Sequence, residues 1–341
     1  MSPASVGHAN AIAPLRIGMI GAGGIAKPHA AAWQRLGAPL TVFSHGGASA
    51  LVERYGGTRA GSLDELLDSC DVVDIVSPND THAEYALASI QAGRHVICEK
   101  PVAPDAATTR TVVAAADAAG MALFPAFVER YNPAYRKMLA AVRGGKIGRP
   151  AVTRLTRTTA HPPATSWLAD DARSGGVFTD LMIHDADMAI QVSGPVEHVF
   201  AVRRSAEPGI DTVFATLTHA STAITLLSAT WAAQGSPFGS SFSVAGEHGT
   251  IEFDSVALPE MTVSIPGMDP ALAARHRSAV RGSFFHAELA DFHEALVTGR
   301  PAAVTAADAV AAIEVIDAVR RSLQLGIAVD LAVPASWGEK Q

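Results

Sequence analysis

Apolar and polar residues alternate between two patterns over the first 143 positions. Short apolar runs, which are typical of buried strands, occur at residues 15–20, 40–44, 71–76, 95–98 and 121–125. Helical spacing of apolar residues occurs at residues 26–36, 81–91, 105–119 and 133–143, and Ser62 with Glu65 marks the start of a further short helix. This alternation of strand and helix predicts an α/β fold with a doubly wound parallel sheet.

A different order begins near residue 150. Strand-like runs follow one another at residues 151–157, 198–204, 212–218, 223–231, 241–245 and 250–253, with one helical segment at residues 177–192 among them. Successive strands predict a large, mostly antiparallel open sheet, and two more helices are expected at residues 284–297 and 306–325. The run at residues 223–231 is apolar on both faces. One face can pack on the helix, and we expect another subunit to cover the other.

The net charge of the chain is −7, and no run of Lys or Arg is present. This balance argues against nucleic acid and against an anionic membrane surface as partners. The two cysteines, Cys70 and Cys98, are isolated and lack the spacing of a metal or redox pair. Isolated cysteines are typical of a reducing compartment, so a cytoplasmic location is expected.

The segment GAGGIA at residues 21–26 joins the first predicted strand to the first predicted helix. In the G-x-G-x-x-A pattern, Gly21 permits a tight turn, Gly23 lets the backbone approach a pyrophosphate, and Ala26 lets the helix pack close to the strand. Free N–H groups at the start of the helix favour phosphate. The alternative is a plain strand–helix turn, but the strand before it and the helix after it favour a dinucleotide site.

The end of the second predicted strand carries no acidic residue. In an NAD-binding unit, an Asp or Glu about 20 residues after the first glycine holds the ribose 2′-hydroxyl. Here that position is occupied by the segment Ser44, His45, Gly46 and Gly47. A carboxylate would repel a 2′-phosphate, whereas Ser44 and His45 can donate to one. Of NAD and NADP, the sequence therefore favours NADP, although no arginine follows closely.

The length of 341 residues fits two domains at about 150 residues each. We expect a Rossmann dinucleotide-binding domain at residues 15–132 and a substrate-binding and oligomerisation domain at residues 133–341, whose C-terminal helices pack back on the first domain. Residues 1–14 lack a basic segment and a long apolar core, which predicts a disordered tail and not a signal peptide. No apolar run reaches the ~18 residues that cross a bilayer.

Two further strands end in polar residues at the same predicted sheet edge. The strand at residues 71–76 is followed by Ser77 and Asn79, and the strand at residues 95–98 is followed by Glu99, Lys100 and a proline that keeps the lysine backbone extended. A lysine at the carboxyl end of a parallel strand lies where ligands bind, although it can also be a solvated loop residue. The histidine at position 82 either lies on the surface of the next helix or lines the nicotinamide end of the cleft.

The helix predicted at residues 177–192 contains a second polar cluster. Asp180 and His184 are four residues apart and Asp187 follows three residues later, so all three are expected on one helical face. An aspartate beside a histidine can orient it as a general base that takes a hydroxyl proton. A polar stripe on a half-buried helix is one alternative. A Zn²⁺ or Mn²⁺ site is another, but no further His or Cys cluster supplies a clear ligand.

Together these motifs resemble the glucose–fructose oxidoreductase and inositol 2-dehydrogenase family over residues 15–331. The markers are the glycine segment, the run EKP at residues 99–101, and Gly175-Gly176 followed by Asp180 and His184. The run IHDADM at residues 183–188 is most similar to the inositol dehydrogenase branch. The resemblance implies a Rossmann domain followed by an α/β domain with an open sheet that mediates oligomers. It also implies hydride transfer between a nicotinamide and a ring CH–OH of a sugar or cyclitol.

The resemblance also assigns residues. It implies that Lys100 binds the reacting oxygen, that His184 is the acid/base, and that Asp180 is its partner. Predicted cofactor contacts, including the glycine segment, are Gly21, Gly23, Gly24, Ile25, Ser44, His45, Ser77, Asn79, His82, Glu99 and Lys100. Predicted substrate contacts are Lys100, Arg130, Tyr131, Asn132, Trp167, His184 and Asp187, with Arg173 on the same loop as Trp167. No metal is expected.

Three departures separate the chain from the inositol branch: the missing acid after the second strand, Glu129 where a second arginine is usual, and Ala186 where a bulky residue is usual. They bear on the cofactor and the substrate and leave the chemistry intact. We expect a small sugar or polyol substrate and a homodimer or homotetramer. The alternatives are a sensor that binds a dinucleotide or sugar without turnover, and a nucleotide-sugar dehydrogenase of the same family.

Overall fold

Six parallel strands form the first sheet of the computed structural model, which describes residues 14–206, 210–257, 261–264 and 283–333. The strands are β1 (Ile17–Ile20), β2 (Leu40–Phe43), β3 (Thr58–Arg59), β4 (Val72–Ile75), β5 (His95–Glu99) and β6 (Leu123–Ala126). Their order across the sheet is β3-β2-β1-β4-β5-β6, and every pair is parallel. The predicted doubly wound sheet is confirmed.

Helices connect these strands and cover the sheet. They are α1 (Ala26–Leu36), α2 (Ala48–Tyr55), α3 (Leu63–Ser69), α4 (His82–Gln91) and α5 (Ala106–Ala119). Side chains fix two of the helix starts, because the Ser62 hydroxyl accepts the Glu65 N–H and the Asp105 carboxylate accepts the Thr108 N–H. At the start of α4 the Thr81 side chain does not cap the helix, and its hydroxyl donates to the Pro78 carbonyl at 2.7 Å.

An eight-stranded sheet organises the second part of the described chain. Its elements are α6 (Pro133–Arg143), β7 (Pro150–Ala160), α7 (Asp171–Ser174), α8 (Ile183–Ser193), β8 (Val196–Ala206), β9 (Ile210–His219), β10 (Ile224–Ala232), β11 (Gly239–Gly246), β12 (Gly249–Asp254), β13 (Met261–Ser264), α9 (Phe284–Thr298), α10 (Ala306–Leu325) and β14 (Val329–Asp330). The order is β13-β12-β11-β7-β10-β9-β8-β14, with one parallel pair, β7 with β10. The predicted mostly antiparallel sheet is confirmed.

Five short elements were not anticipated from the apolar pattern: α2, α7, β3, β13 and β14. The strands among them have two to four residues, too few to show a period of their own. The helix expected over residues 177–192 begins instead as a π-turn at Phe178–Met182, and α8 follows it. The tail predicted at residues 1–14 lies outside the described residues except for Pro14.

The two C-terminal helices connect the domains. Helix α9 packs on α1, and α10 packs on α5, α8 and β8. None of the helices in the described ranges is both long enough and apolar enough to cross a bilayer. The large sheet presents apolar side chains on its outer face: Phe200, Val202, Phe214, Ile224 and Leu226 are each at least 38% exposed.

The strand order also predicts where a ligand binds. From β1 the chain extends to β2 and β3 on one side, then crosses to β4, β5 and β6 on the other. In open α/β sheets the crevice at such a reversal, outside the carboxyl ends of the strands, is the usual ligand site. The glycine segment follows β1, and the loops after β4 and β5 carry Ser77 and Lys100.

Candidate active site

A cleft of about 590 Å³ opens at the carboxyl ends of β1, β2, β4 and β5. The second domain closes its far side with Trp167, Leu168, Arg173 and Asp180. All of the residues predicted to contact the cofactor line this cleft, namely Gly21, Gly23, Gly24, Ile25, Ser44, His45, Ser77, Asn79, His82, Glu99 and Lys100. The prediction that these residues lie together at one sheet edge is therefore confirmed.

The glycine segment leaves room for a ligand. Gly21 has a φ of +111°, and a Cβ added to it would lie 2.7 Å from the Val76 carbonyl oxygen, so the turn needs glycine. A Cβ added at Gly23 or Gly24 would meet no atom within 4 Å. Ala26 is completely buried at the start of α1, which keeps the helix close to the strand. The open space over the amino terminus of α1 fits a pyrophosphate group.

The end of β2 forms a tight polar turn. The Ser44 hydroxyl donates to the Gly46 carbonyl at 2.7 Å, and the exposed His45 ring lies edge-on to Phe43 with 5.7 Å between ring centroids. The sequence Ser44 to Gly47 places no carboxylate at this position of the cleft. His45 is therefore free to face an anionic group, while Ser44 is partly used by the turn.

His82 is buried, which decides between the two positions left open by the sequence. Its Nδ1 lies 2.8 Å from the Pro101 carbonyl oxygen and its Nε2 lies 2.8 Å from the Ser77 carbonyl oxygen. Burial lowers the pKa of His82, and the two carbonyls oppose that effect only in part. The ring ties the loop after β4 to the loop after β5, so it positions the cleft wall that it also lines.

Lys100 projects from the end of β5 towards the second domain. Its Nζ donates to the Asp180 carbonyl at 2.7 Å and to the Asp180 carboxylate at 3.0 Å. The two side chains are 12% and 18% exposed, so this ion pair is largely shielded from water. The Lys100 backbone N–H donates to the Glu99 carboxylate at 3.1 Å. The Lys100 ammonium group is thus held in place in the cleft, and Lys100 is not a solvated loop residue.

The expected pairing of Asp180 with His184 is wrong. Asp180 lies in the π-turn, where the hydrogen bonds run from residue i to i+5 and the spacing of an α-helical face is lost. Its carboxylate consequently pairs with Lys100, and no described residue offers a hydrogen-bond partner to the buried Nδ1 of His184. Asp180, His184 and Asp187 do not form a cluster of potential metal ligands within the described residues.

His184 occupies the first turn of α8 and is half-buried. Burial, followed by the positive charges of Lys100 and Arg157, lowers the pKa of His184 well below its usual range. A neutral imidazole is therefore available to accept a proton at neutral pH. The adjacent Asp185 is completely buried and binds Arg157 at 2.9 Å.

Four of the predicted substrate residues form hydrogen bonds inside the protein. Arg130 Nε donates to Asp187 at 2.6 Å, and a second guanidinium nitrogen donates to Asp308 at 2.9 Å. The Tyr131 hydroxyl donates to Asp291 at 2.7 Å, and the Asn132 side chain accepts the Ala134 N–H to cap α6. None of these four residues lines the cleft, and in the structure their side chains link or cap α6, α8, α9 and α10; their substrate contacts stay predictions.

The loop that carries Trp167 is fastened to the first domain. Arg173 donates to both oxygens of Asp80, at 2.8 and 3.3 Å, and the Asn79 side chain donates to the Ser174 carbonyl at 3.1 Å. Trp167 and Arg173 both line the cleft, and Arg173 also links its two sides through Asp80. Asp80 was not anticipated, because nothing in a sequence marks which distant arginine an exposed aspartate meets.

Two buried charge clusters lie under the site and were also missed. Arg157 binds Glu129 at 2.7 Å and Asp185 at 2.9 Å. His29 lies between Asp74 and Glu99, with all three side chains buried. One signal was available, since Asp74 interrupts the apolar strand VVDI, and a buried strand keeps a carboxylate only when it is paired.

Comparison with known proteins places these residues in a family context. A profile described as "Oxidoreductase family, NAD-binding Rossmann fold" (GFO_IDH_MocA) matches residues 15–127, and a profile described as "GFO/IDH/MocA C-terminal domain" matches residues 135–252. Together the two profiles match more than half of the chain, and the family resemblance seen in the motifs is confirmed.

Curated relatives are similar over shorter or more divergent stretches. Myo-inositol 2-dehydrogenase of Thermotoga maritima is 36% identical over 40% of this chain and 41% of that protein. Inositol 2-dehydrogenase of Acidothermus cellulolyticus is 28% identical over 92% of this chain and 94% of that protein. The chain spans 41%, 46% and 54% of the first three relatives. A structure of levoglucosan dehydrogenase with NADH and levoglucosan has a TM-score of 0.84 at 24% identity, covers 94% of this chain and 99% of that one, and shows the common fold.

Proposed function

The chain belongs to the GFO/IDH/MocA oxidoreductase family, and from that premise we propose that it transfers a hydride between a nicotinamide dinucleotide and a ring CH–OH of a sugar or cyclitol. The observation that carries the proposal is the position of Lys100. It is held by Asp180 inside a cleft whose other end is a glycine segment with room for a pyrophosphate. The names of the relatives agree with this class of reaction.

In oxidation, the bound nicotinamide supplies the hydride acceptor. The substrate hydroxyl lies between Lys100 and His184, and the neutral His184 imidazole accepts its proton. Lys100 donates a hydrogen bond to the same oxygen and stabilises the negative charge that develops there, which is worth several kcal/mol, about 3–4, in a site shielded from water. Asp180 holds the Lys100 ammonium group in place, and the reverse reduction uses the same groups.

For the cofactor, we propose NADP as the preferred dinucleotide. The support is the polar turn after β2, where no carboxylate repels a 2′-phosphate and His45 is exposed to the cleft. The family description names NAD, so the choice requires a direct comparison. Titration of the purified chain with NADH and NADPH, followed by nicotinamide fluorescence, makes it. Tighter binding of NADPH supports the turn as a 2′-phosphate site, and tighter binding of NADH refutes it.

Turnover on a panel of sugars and cyclitols tests the reaction itself. Lys100→Met should abolish turnover and keep most of the cofactor affinity, because the pyrophosphate and ribose contacts remain. Lys146→Met is a matched control, since Lys146 is exposed in the loop after α6 and is not among the residues that line the cleft. Near-normal turnover in Lys100→Met would contradict the assignment. Dinucleotide binding by the unaltered chain without turnover on the panel would instead favour a sensor.

We also propose that two or four copies associate through the outer face of the large sheet. The exposed side chains of Phe200, Val202, Phe214, Ile224 and Leu226 lie on adjacent strands and form one apolar patch. Phe214→Glu should lower the molar mass measured by light scattering, and an unchanged mass would refute this interface. The free, buried thiols of Cys70 and Cys98 suit a reducing compartment, which supports a cytoplasmic location.

A further inference from the structure

Three charged side chains under the cleft form a continuous hydrogen-bonded chain that ends on the backbone of Lys100. His29 Nδ1 lies 3.0 and 3.1 Å from the two carboxylate oxygens of Asp74. The other ring nitrogen, Nε2, lies 3.2 Å from one oxygen of Glu99. The second oxygen of Glu99 accepts the backbone N–H of Lys100 at 3.1 Å.

The sheet register explains how these groups meet. Asp74 on β4 is opposite Ile97 on β5, and Glu99 is two residues further along the same strand. Side chains two apart in a strand lie on one face, so both carboxylates point to the side that α1 covers. His29 and Trp33 are one helical turn apart on α1, and the Trp33 ring nitrogen donates to Asp74 at 2.7 Å.

Burial makes this hydrogen-bonded chain of side chains unusual. His29 and Asp74 have no exposed surface and Glu99 is 6% exposed. Burial lowers the pKa of His29, but Asp74 and then Glu99 outweigh burial and raise that pKa well above its usual range. The ring is therefore an imidazolium that donates through both nitrogens, each to a carboxylate. Charges buried this deeply are kept only where they are fully paired, and here the pairing extends to the cleft.

We propose that His29 is a positioning residue for the reaction: it fixes the Glu99 carboxylate, and through it the backbone of Lys100. The inference rests on the proposed hydride transfer, in which Lys100 must lie within hydrogen-bonding distance of the reacting oxygen. Glu99 alone is a rotatable side chain with one bond to Lys100. Anchored by His29 at its other oxygen, it becomes a rigid support for the end of β5.

Helix α9 packs over the hydrogen-bonded chain and contains Glu288, which serves as a control position. Phe285 packs on the His29 ring with 5.5 Å between centroids. Glu288 is completely buried, and neither of its carboxylate oxygens has a hydrogen-bond partner in the described structure. Burial, followed by the charge of Glu99, raises the pKa of Glu288 well above its usual range. Glu288 thus lies near the hydrogen-bonded chain of His29, Asp74 and Glu99 but is not hydrogen-bonded to it.

Two replacements of His29 separate positioning from general stability. An asparagine amide nitrogen occupies the place of Nδ1, and a glutamine amide nitrogen that of Nε2. His29→Asn therefore keeps a donor for Asp74 and leaves only the Glu99 oxygen that faces His29 without one, whereas His29→Gln keeps a donor for that oxygen while Trp33 still donates to Asp74. We expect His29→Asn to lower kcat about tenfold or more, the loss of one charge-assisted hydrogen bond, and His29→Gln to recover most of it. Glu288→Gln should leave kcat unchanged.

The measurements are kcat and KM on the best substrate, the melting temperature, and the dissociation constant of NADH or NADPH, whichever the unaltered chain binds more tightly. Loss of kcat in His29→Asn with recovery in His29→Gln, at similar melting temperatures, supports the proposal. Equal losses in both variants, or none, overturn it. If the unaltered chain turns over no sugar or cyclitol, the proposed function fails. Because Glu99 lines the cleft, the dinucleotide titration then tests the role of His29. Weaker dinucleotide binding in His29→Asn but not in His29→Gln supports that role, and equal binding in both variants overturns it.

Discussion

Asp187→Asn separates the role that the sequence suggests for this residue from the role that the structure gives it. The family resemblance implies a substrate contact, whereas the structure pairs the Asp187 carboxylate with Arg130. The two side chains are 3% and 6% exposed. The variant replaces a carboxylate by an amide of the same shape, so any loss reflects the missing charge and not a cavity.

The expected cost follows from the burial of the guanidinium. Removing one partner of a buried ion pair typically lowers the free energy of unfolding by about 3–5 kcal/mol, because the other charge stays buried. The asparagine oxygen still accepts one N–H and Asp308 remains on the guanidinium, so we expect the lower end, about 3 kcal/mol. Asp308→Asn is the matched control: Asp308 contacts the same arginine but is 21% exposed, and about 1 kcal/mol is expected.

Urea unfolding followed by circular dichroism measures both variants, and kcat/KM per folded molecule is measured beside it. A structural Asp187 gives a large shift of the unfolding midpoint and a nearly unchanged KM for the sugar. A structural role for Asp187 is refuted if Asp187→Asn unfolds at the same urea concentration as the unaltered protein, or if its KM rises while its stability does not change. Equal costs in Asp187→Asn and Asp308→Asn would show that burial does not set the magnitude.

Three other outcomes follow from the site. Gly23→Ala should raise the dinucleotide dissociation constant about tenfold or more, because the added methyl group would occupy only the open space proposed for the ligand. The melting temperature should stay equal or rise. Fluorescence titration and thermal melts measure the two quantities. Arg173→Ala should weaken dinucleotide binding by up to about fivefold and leave the stability nearly constant, since the ion pair with Asp80 is partly exposed. Stopped-flow measurement of the dinucleotide release rate checks this. The acid limb of kcat/KM should lie below pH 6.5, because the pKa of His184 is lowered; a midpoint at 6.5 or above contradicts this.

The positions of strand ends were predictable from the sequence, and so was the cleft. Apolar runs and their helical successors fix where each strand stops, and parallel strands stop at a common edge. That rule alone brought Gly21, Ser44, Ser77 and Lys100 to one cleft, although 79 residues separate the first from the last. The elements missed at this level include β3, which is too short to carry a pattern, and the eight-residue helix α2.

The partners of charged side chains were not predictable. Arg130 meets an aspartate 57 residues away and another 178 residues away, and no local spacing records either contact. Within the polar helix, spacing misled, because the π-turn changes which neighbours share a face. Asp180 was assigned to His184 on α-helical geometry and instead holds Lys100. The residue types of the site were identified from the sequence, while their pairing required coordinates.

Those pairings also bear on the charge of the substrate. Arg130 is bound by Asp187 and Asp308, and Arg157 by Glu129 and Asp185, so neither guanidinium in the described structure is available to an anion. A sugar acid or a nucleotide sugar that recruited either arginine would have to break a buried pair, at about 3–5 kcal/mol, or more than a hundredfold in binding. A neutral polyol asks for no such exchange. We therefore expect kcat/KM to be at least about a hundredfold higher for a neutral cyclitol or hexose than for the matching uronic acid, and comparable values for the two would show that one of these arginines is released on binding.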